Sequence, residues 1–143
     1  MTDATIEVLA TASRMALLTD ARDWSSLVNV FADPVDVDYT SLDGGEPVRI
    51  SSHELVDQWR DSLSRLDATQ HLIGSAYAEI NGDTALVTCA VTGTHRRTTS
   101  SGGQLWTVGG HYDIAMRRDD GWQISSLRLR VAWATGNRAI MRA

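Results

Sequence analysis

Alternation of apolar and polar residues in the second half of the chain is the feature that most constrains the fold. It predicts strands over residues 71–80, 84–97, 105–118 and 122–133. Asn81-Gly82-Asp83 and Asp119-Asp120-Gly121 are typical hairpin turns, and the polar loop 98–103 joins the middle two strands. Because short connections of this kind join antiparallel neighbours, the sequence predicts a four-stranded antiparallel meander.

The first half predicts three helices around one pair of short strands. Ile6, Leu9 and Leu17 fall on one face of a helix that spans about residues 5–21. A short second helix runs from Trp24 toward Phe31, and Pro34 helps to end it. The strand pair covers residues 35–39 and 47–50, and the third helix extends as far as Leu66 from the capping pair Ser51 and Glu54.

This order of elements predicts an α+β fold in which a curved sheet wraps around three N-terminal helices and encloses a pocket. The chain has 143 residues, the usual size of one domain. It contains no repeat or linker, so we expect a single domain over residues 1–143.

Composition narrows the classes of function. The net charge of −5 is spread along the chain, which argues against binding to nucleic acid or to an anionic membrane surface. All 13 cationic side chains are arginine, so a lysine Schiff base is excluded. The lone Cys89 has no partner for an internal disulfide. No signal peptide and no apolar run of membrane-spanning length is visible, so we expect a cytoplasmic protein.

Four histidines are candidates for proton transfer near neutral pH. The strand pattern directs His71 and His95 toward the apolar interior. It directs His111 away from the pocket, unless a bulge at residues 109–110 reverses the alternation. His53, in the first turn of the third helix, is expected in solvent. A buried histidine is more often a hydrogen-bonded core residue than a catalytic one.

Asp20 lies in the last turn of the first helix, where the helix dipole disfavours an anion. A carboxylate bonded to one imidazole nitrogen leaves the other nitrogen as a general base, and Asp20 with His71 fits that arrangement. Spacing alone does not show that the two residues meet. No metal-binding spacing, P-loop or dinucleotide fingerprint is present, so we expect no metal and no cofactor.

Several stretches in the same order resemble scytalone dehydratase and the wider SnoaL-like branch of the nuclear transport factor 2-like superfamily. They are Thr19-Asp20-Ala21-Arg22-Asp23-Trp24, Val37-Asp38-Tyr39-Thr40-Ser41, Thr69-Gln70-His71-Leu72-Ile73-Gly74, Val91-Thr92-Gly93-Thr94-His95-Arg96 and the terminal hairpin 117–133. The resemblance implies a cone-shaped fold. It also implies that His71 is a catalytic base oriented by Asp20, that Tyr39 holds a reactive carbonyl through a water molecule, and that His95 is the second histidine of the pocket.

The chain departs from the family pattern at several positions. The family's second tyrosine is Thr19 here, and Gly110 and Tyr112 stand where the family has a pocket serine and asparagine. The tail beyond Trp133 is short, which predicts a reduced lid. Pocket walls are expected at four large side chains, although ordinary core packing is the usual role of such residues: Trp59, Trp106, Tyr112 and Met116.

The resemblance implies a cofactor-independent lyase or isomerase that performs a dehydratase-like elimination. Its expected substrate is small, hydrophobic and enolisable, similar to a polyketide, an aromatic compound or a steroid. In this scheme His95 returns a proton to the leaving hydroxide. Two alternatives are a non-catalytic binding or assembly module of the same fold and a polyketide cyclase. A homodimer or homotrimer is also expected from the family.

Overall fold

The computed structural model describes residues 2–142, so the ends of the predicted domain, Met1 and Ala143, lie outside the described residues. The helices are α1 (Asp3–Asp20), α2 (Trp24–Val28), α3 (Thr40–Asp43), α4 (Ser52–Leu63) and a final 3₁₀ turn, η1 (Arg138–Met141). The strands are β1 (Phe31–Asp38), β2 (Val48–Ile50), β3 (Ala68–Asn81), β4 (Thr84–Arg96), β5 (Leu105–Arg118) and β6 (Trp122–Gly136).

All six strands form one curved, mixed sheet in the order β2-β1-β6-β5-β4-β3. β3 to β6 make the predicted antiparallel meander, and β1 joins its edge by pairing in parallel with β6. The helices cover one face of this sheet. Val8 of α1, Leu27 of α2 and Ile114 of β5 have no exposed surface, so the core lies between the helices and the sheet. The predicted α+β fold class is confirmed.

Pro34 does not end the second helix as predicted, because α2 already ends at Val28 and Pro34 lies inside β1. Proline has no N–H to donate to a ladder and is tolerated where pairing is interrupted. The pairing of β1 with β6 is irregular between Phe31 and Asp36, which accommodates Pro34. The one-turn helix α3, between β1 and β2, was not predicted from the sequence.

The predicted apolar face of α1 is wrong, although the helix itself is present. Ile6 and Leu17 are 51% and 69% exposed, whereas Val8, Ala12 and Met15 are buried. Apolar residues occur on more than one side of α1, so spacing alone did not identify the buried side. Among residues 2–142, no helix is long and apolar enough to cross a membrane.

Candidate active site

Asp20, the last residue of α1, is held by the start of β3. One carboxylate oxygen lies 2.8 Å from His71 Nδ1 and 3.1 Å from the Thr69 hydroxyl, and the other accepts the His71 backbone N–H at 2.7 Å. These bonds explain how an anion is stable at the end of a helix where the dipole disfavours it. The contact between Asp20 and His71 expected from the sequence is therefore present.

The protonation of Asp20 follows from these contacts. Burial opposes ionisation of the carboxyl group, but hydrogen bonds from the His71 ring, the His71 backbone and Thr69 outweigh it, and the pKa of Asp20 falls below its ordinary value. An ionised carboxylate only accepts hydrogen bonds, so His71 Nδ1 carries the hydrogen. In neutral His71, Nε2 is then the bare nitrogen, available as a base.

Gly93 on β4 makes room for the His71 ring. The two residues are cross-strand partners, and a Cβ atom at position 93 would lie 3.0 Å from His71 Cδ2 and 3.2 Å from His71 Nε2. Any side chain at this position would press on the basic nitrogen. Gly93 was missed as a site residue, although it lies inside one of the stretches that carry the family resemblance.

His95 is buried, with 8% of its surface exposed, and its ring centroid lies 5.8 Å from that of His71. Its Nδ1 lies 3.0 Å from the Trp106 carbonyl oxygen, which can only accept, so Nδ1 carries the hydrogen. Burial lowers the pKa of His95 despite that bond. The ring is thus neutral near pH 7, and its Nε2 has no proton to give.

Two tyrosine hydroxyls meet on the wall of the cavity. Tyr39 Oη and Tyr112 Oη lie 2.9 Å apart. Burial raises the pKa of Tyr112 to about 12 and that of Tyr39 well above its usual value, so both phenols keep their protons. One O–H donates to the other oxygen, and the second O–H is left to donate elsewhere. Thr19, at the family's second tyrosine position, gives its own hydroxyl proton to the Met15 carbonyl oxygen at 2.7 Å.

These groups line a cavity of about 480 Å³ between the helices and the sheet, within the size range of small-molecule sites. His71, His95, Tyr39 and Tyr112 supply polar atoms. The walls are mainly apolar, with Met15, Val37, Leu55, Trp59, Val91 and Leu129 among them. Met141 of η1 also lines the cavity.

Two of the four expected wall residues lie elsewhere. Trp59 and Tyr112 line the cavity, but Trp106 and Met116 do not. Met116 is 1% exposed and belongs to the core near the far end of β5. Trp106 lies near the opposite end of that strand, where the Arg138 guanidinium sits 5.8 Å from its ring centroid.

His111 is exposed on the outer face of β5, as predicted. The irregularity near Gly109 and Gly110 exists, but the additional residue is Ala132 on β6, so the alternation along β5 is preserved. A Cβ atom at Gly110 would come within 2.2 Å of the Arg130 carbonyl oxygen, and a serine cannot replace it without backbone movement. His53 is exposed, as expected.

No group of three or more His, Cys, Asp or Glu side chains within residues 2–142 is arranged to hold a metal ion. The polar groups that line the cavity include a carboxylate-supported imidazole, a neutral imidazole and two phenols. Such a set can remove a proton and stabilise a developing oxyanion.

Comparison with known proteins identifies the family. The model of the SnoaL-like domain matches residues 2–128, and the chain belongs to that family. A protein of Kribbella flavida has a solved structure with 26% identity, a TM-score of 0.92 and 97% of each chain covered. A search of curated proteins found no significant match.

Two further solved structures share the fold. A proposed scytalone dehydratase from Novosphingobium aromaticivorans has 15% identity and a TM-score of 0.82, with 94% of this chain and 88% of that chain covered. A proposed dehydratase of the nuclear transport factor 2-like family from Streptomyces avermitilis has 16% identity and a TM-score of 0.77, with 90% and 97% covered. The fold is therefore the nuclear transport factor 2-like cone.

Proposed function

We propose that the protein is a cofactor-independent lyase that removes water from a small, hydrophobic, enolisable hydroxy ketone. The observation that carries the proposal is the bare Nε2 of His71, fixed by Asp20, in the same cavity as the paired phenols of Tyr39 and Tyr112. The dehydratase names of two structural relatives support this class of reaction.

The reaction begins when His71 Nε2 takes a proton from the carbon beside the carbonyl group. The Asp20 carboxylate stabilises the imidazolium that forms. The electrons of the broken C–H bond move toward the carbonyl oxygen, which accepts a hydrogen bond from the tyrosine pair. General acid–base catalysis by one group supplies a factor of about 10²–10⁴ in rate.

Elimination follows when the enolate expels hydroxide from the neighbouring carbon. Neutral His95 has no proton on Nε2, so it does not act as the acid expected from the family resemblance. The His71 imidazolium returns its proton to the leaving hydroxide instead, which releases water and restores neutral His71. His95 Nε2 accepts a hydrogen bond from the substrate hydroxyl and positions it. The net change is loss of one H and one OH with formation of a C=C bond.

A panel of uncharged cyclic β-hydroxy ketones tests this function. Loss of water produces a conjugated enone, which is followed by its ultraviolet absorbance. We expect turnover by the parent protein, near-complete loss in His71→Ala, and normal rates in the matched control His53→Ala, which alters an exposed histidine. Binding without turnover of any member would favour the alternative of a non-catalytic module.

A further inference from the structure

The charged side chains that line the cavity are acidic. Asp43 and Glu46 line it and are exposed, which places them at its mouth. Asp20 supports His71 from behind. Among residues 2–142, no arginine lines the cavity, and the chain has no lysine. A ligand inside therefore meets carboxylates and neutral polar groups, with no permanent cation to pair with.

The guanidinium of Arg138 lies next to the mouth of the cavity, and it already has interaction partners there. It donates to the Leu42 carbonyl oxygen at 3.0 Å, lies 3.5 Å from Asp43 and stacks over Trp106. Arg138 therefore offsets part of the negative charge of Asp43, but it forms no salt bridge with Glu46. The other polar residues at the mouth, Gln58 and Ser62, are neutral.

We infer that the cavity selects its substrate by charge: it accepts an uncharged ring compound, or one with an ammonium group at the mouth, and rejects carboxylates, phosphates and their conjugates. This inference rests on the proposed function for the site, and it adds the substrate class. An anion inside the cavity would lose its hydration without gaining an ion pair. Asp43 and Glu46 are the residues that determine this specificity.

Three probes with one ring system test the inference by calorimetry at about pH 7, where their charges differ. They are 2-naphthol, 2-naphthylmethylamine and 2-naphthoate. We expect the naphthol and the amine to bind and the carboxylate to bind at least about 100-fold more weakly. Glu46→Gln and Asp43→Asn should each reduce the preference for the amine over the carboxylate, by about threefold per unit charge removed. Glu79→Gln, the same change on an exposed part of β3, should leave it unaltered.

Naphthoate binding within tenfold of naphthol would overturn the inference, as would failure of naphthol to bind. A preference that stays the same in both mouth variants would also overturn it. The two proposals fail separately. If the cavity selects by charge but turns over no ketone, the proposed lyase function fails and the charge selectivity stands. If a carboxylate-bearing substrate is dehydrated at the rate of its uncharged analogue, the charge selectivity fails and the lyase function stands.

Discussion

Replacing Asp20 by asparagine should change which ring nitrogen of His71 carries the hydrogen. The shape of the side chain at position 20 is nearly preserved. The carboxylate accepts at both oxygens, from the His71 backbone N–H at 2.7 Å and from Nδ1 at 2.8 Å. Asparagine has one accepting oxygen. When that oxygen takes the backbone N–H, the amide NH₂ faces Nδ1 and donates to it. The ring then carries its hydrogen on Nε2, where the substrate proton should go.

The expected loss is large for activity and moderate for stability. A wrong imidazole tautomer with intact geometry lowers kcat by about 10⁴-fold in the serine protease triad, and a similar factor is expected here. Hydrogen bonds to a charged group contribute about 1.5–3 kcal/mol each. For a chain of this size roughly 2–4 °C of Tm corresponds to 1 kcal/mol, so loss of one such bond lowers Tm by roughly 3–12 °C.

Two measurements check this prediction on the purified Asp20→Asn variant. Enone formation gives kcat, and ¹⁵N NMR of the imidazole ring reports which nitrogen of His71 carries the hydrogen. Asp36→Asn is the matched control, because Asp36 pairs with Arg49 on the exposed surface. Activity within about tenfold of the parent, with Nε2 still unprotonated, would refute the reasoning.

Three further predictions concern the rest of the site. Tyr39→Phe and Tyr112→Phe should each lower kcat by about 10²–10³-fold. Because the two phenols act as a pair, the double variant should lower kcat by less than the product of the two single effects. Steady-state kinetics that show the full product would argue against this pairing. Gly93→Ala should lower kcat because the added methyl group presses on His71 Nε2, and circular dichroism should show that the variant is folded. An unchanged kcat would show that the His71 ring can shift away from the methyl group without loss of activity. The pKa of His95 is lowered by burial, so the free energy of unfolding should fall as pH drops below about 6.5, where the unfolded chain takes up a proton more readily than the folded one. Urea unfolding at several pH values measures how the free energy of unfolding depends on pH. This dependence should be weaker in His95→Gln than in the parent protein. An identical dependence would contradict the lowered pKa of His95.

Local pattern was sufficient for most secondary structure. The turn at Asn81-Gly82-Asp83 and the Ser51 cap, whose hydroxyl oxygen accepts from the Glu54 N–H at 3.1 Å, depend on residues close in sequence. Alternation predicts which face of a strand a residue occupies, but not how far along the cone it lies. Met116 and Trp106 were for this reason expected in the pocket wall, although they lie near opposite ends of β5.

Contacts between residues far apart in the sequence could not be predicted from the spacing of residues. Asp20 and His71 are 51 positions apart; their residue types made a pair conceivable, but only the family resemblance implied that they meet. The pairing of Tyr39 with Tyr112, 73 positions apart, had no sequence signal, because it depends on the end of β1 facing the inner side of β5. The expected homo-oligomer stays a prediction. The exposed apolar residues Leu72, Tyr77 and Leu86 are consistent with a covered sheet surface.

Hydrogen exchange at the carbon beside a ketone tests the central claim most directly, since it reports proton abstraction without the elimination step. The protein is mixed with 2-tetralone in deuterated buffer, and deuterium uptake is followed by NMR. If His71 Nε2 is the base, the parent protein accelerates uptake and His71→Ala reduces it to the rate in buffer alone. Equal acceleration by His71→Ala, or no acceleration of a ketone shown to bind, would contradict the account.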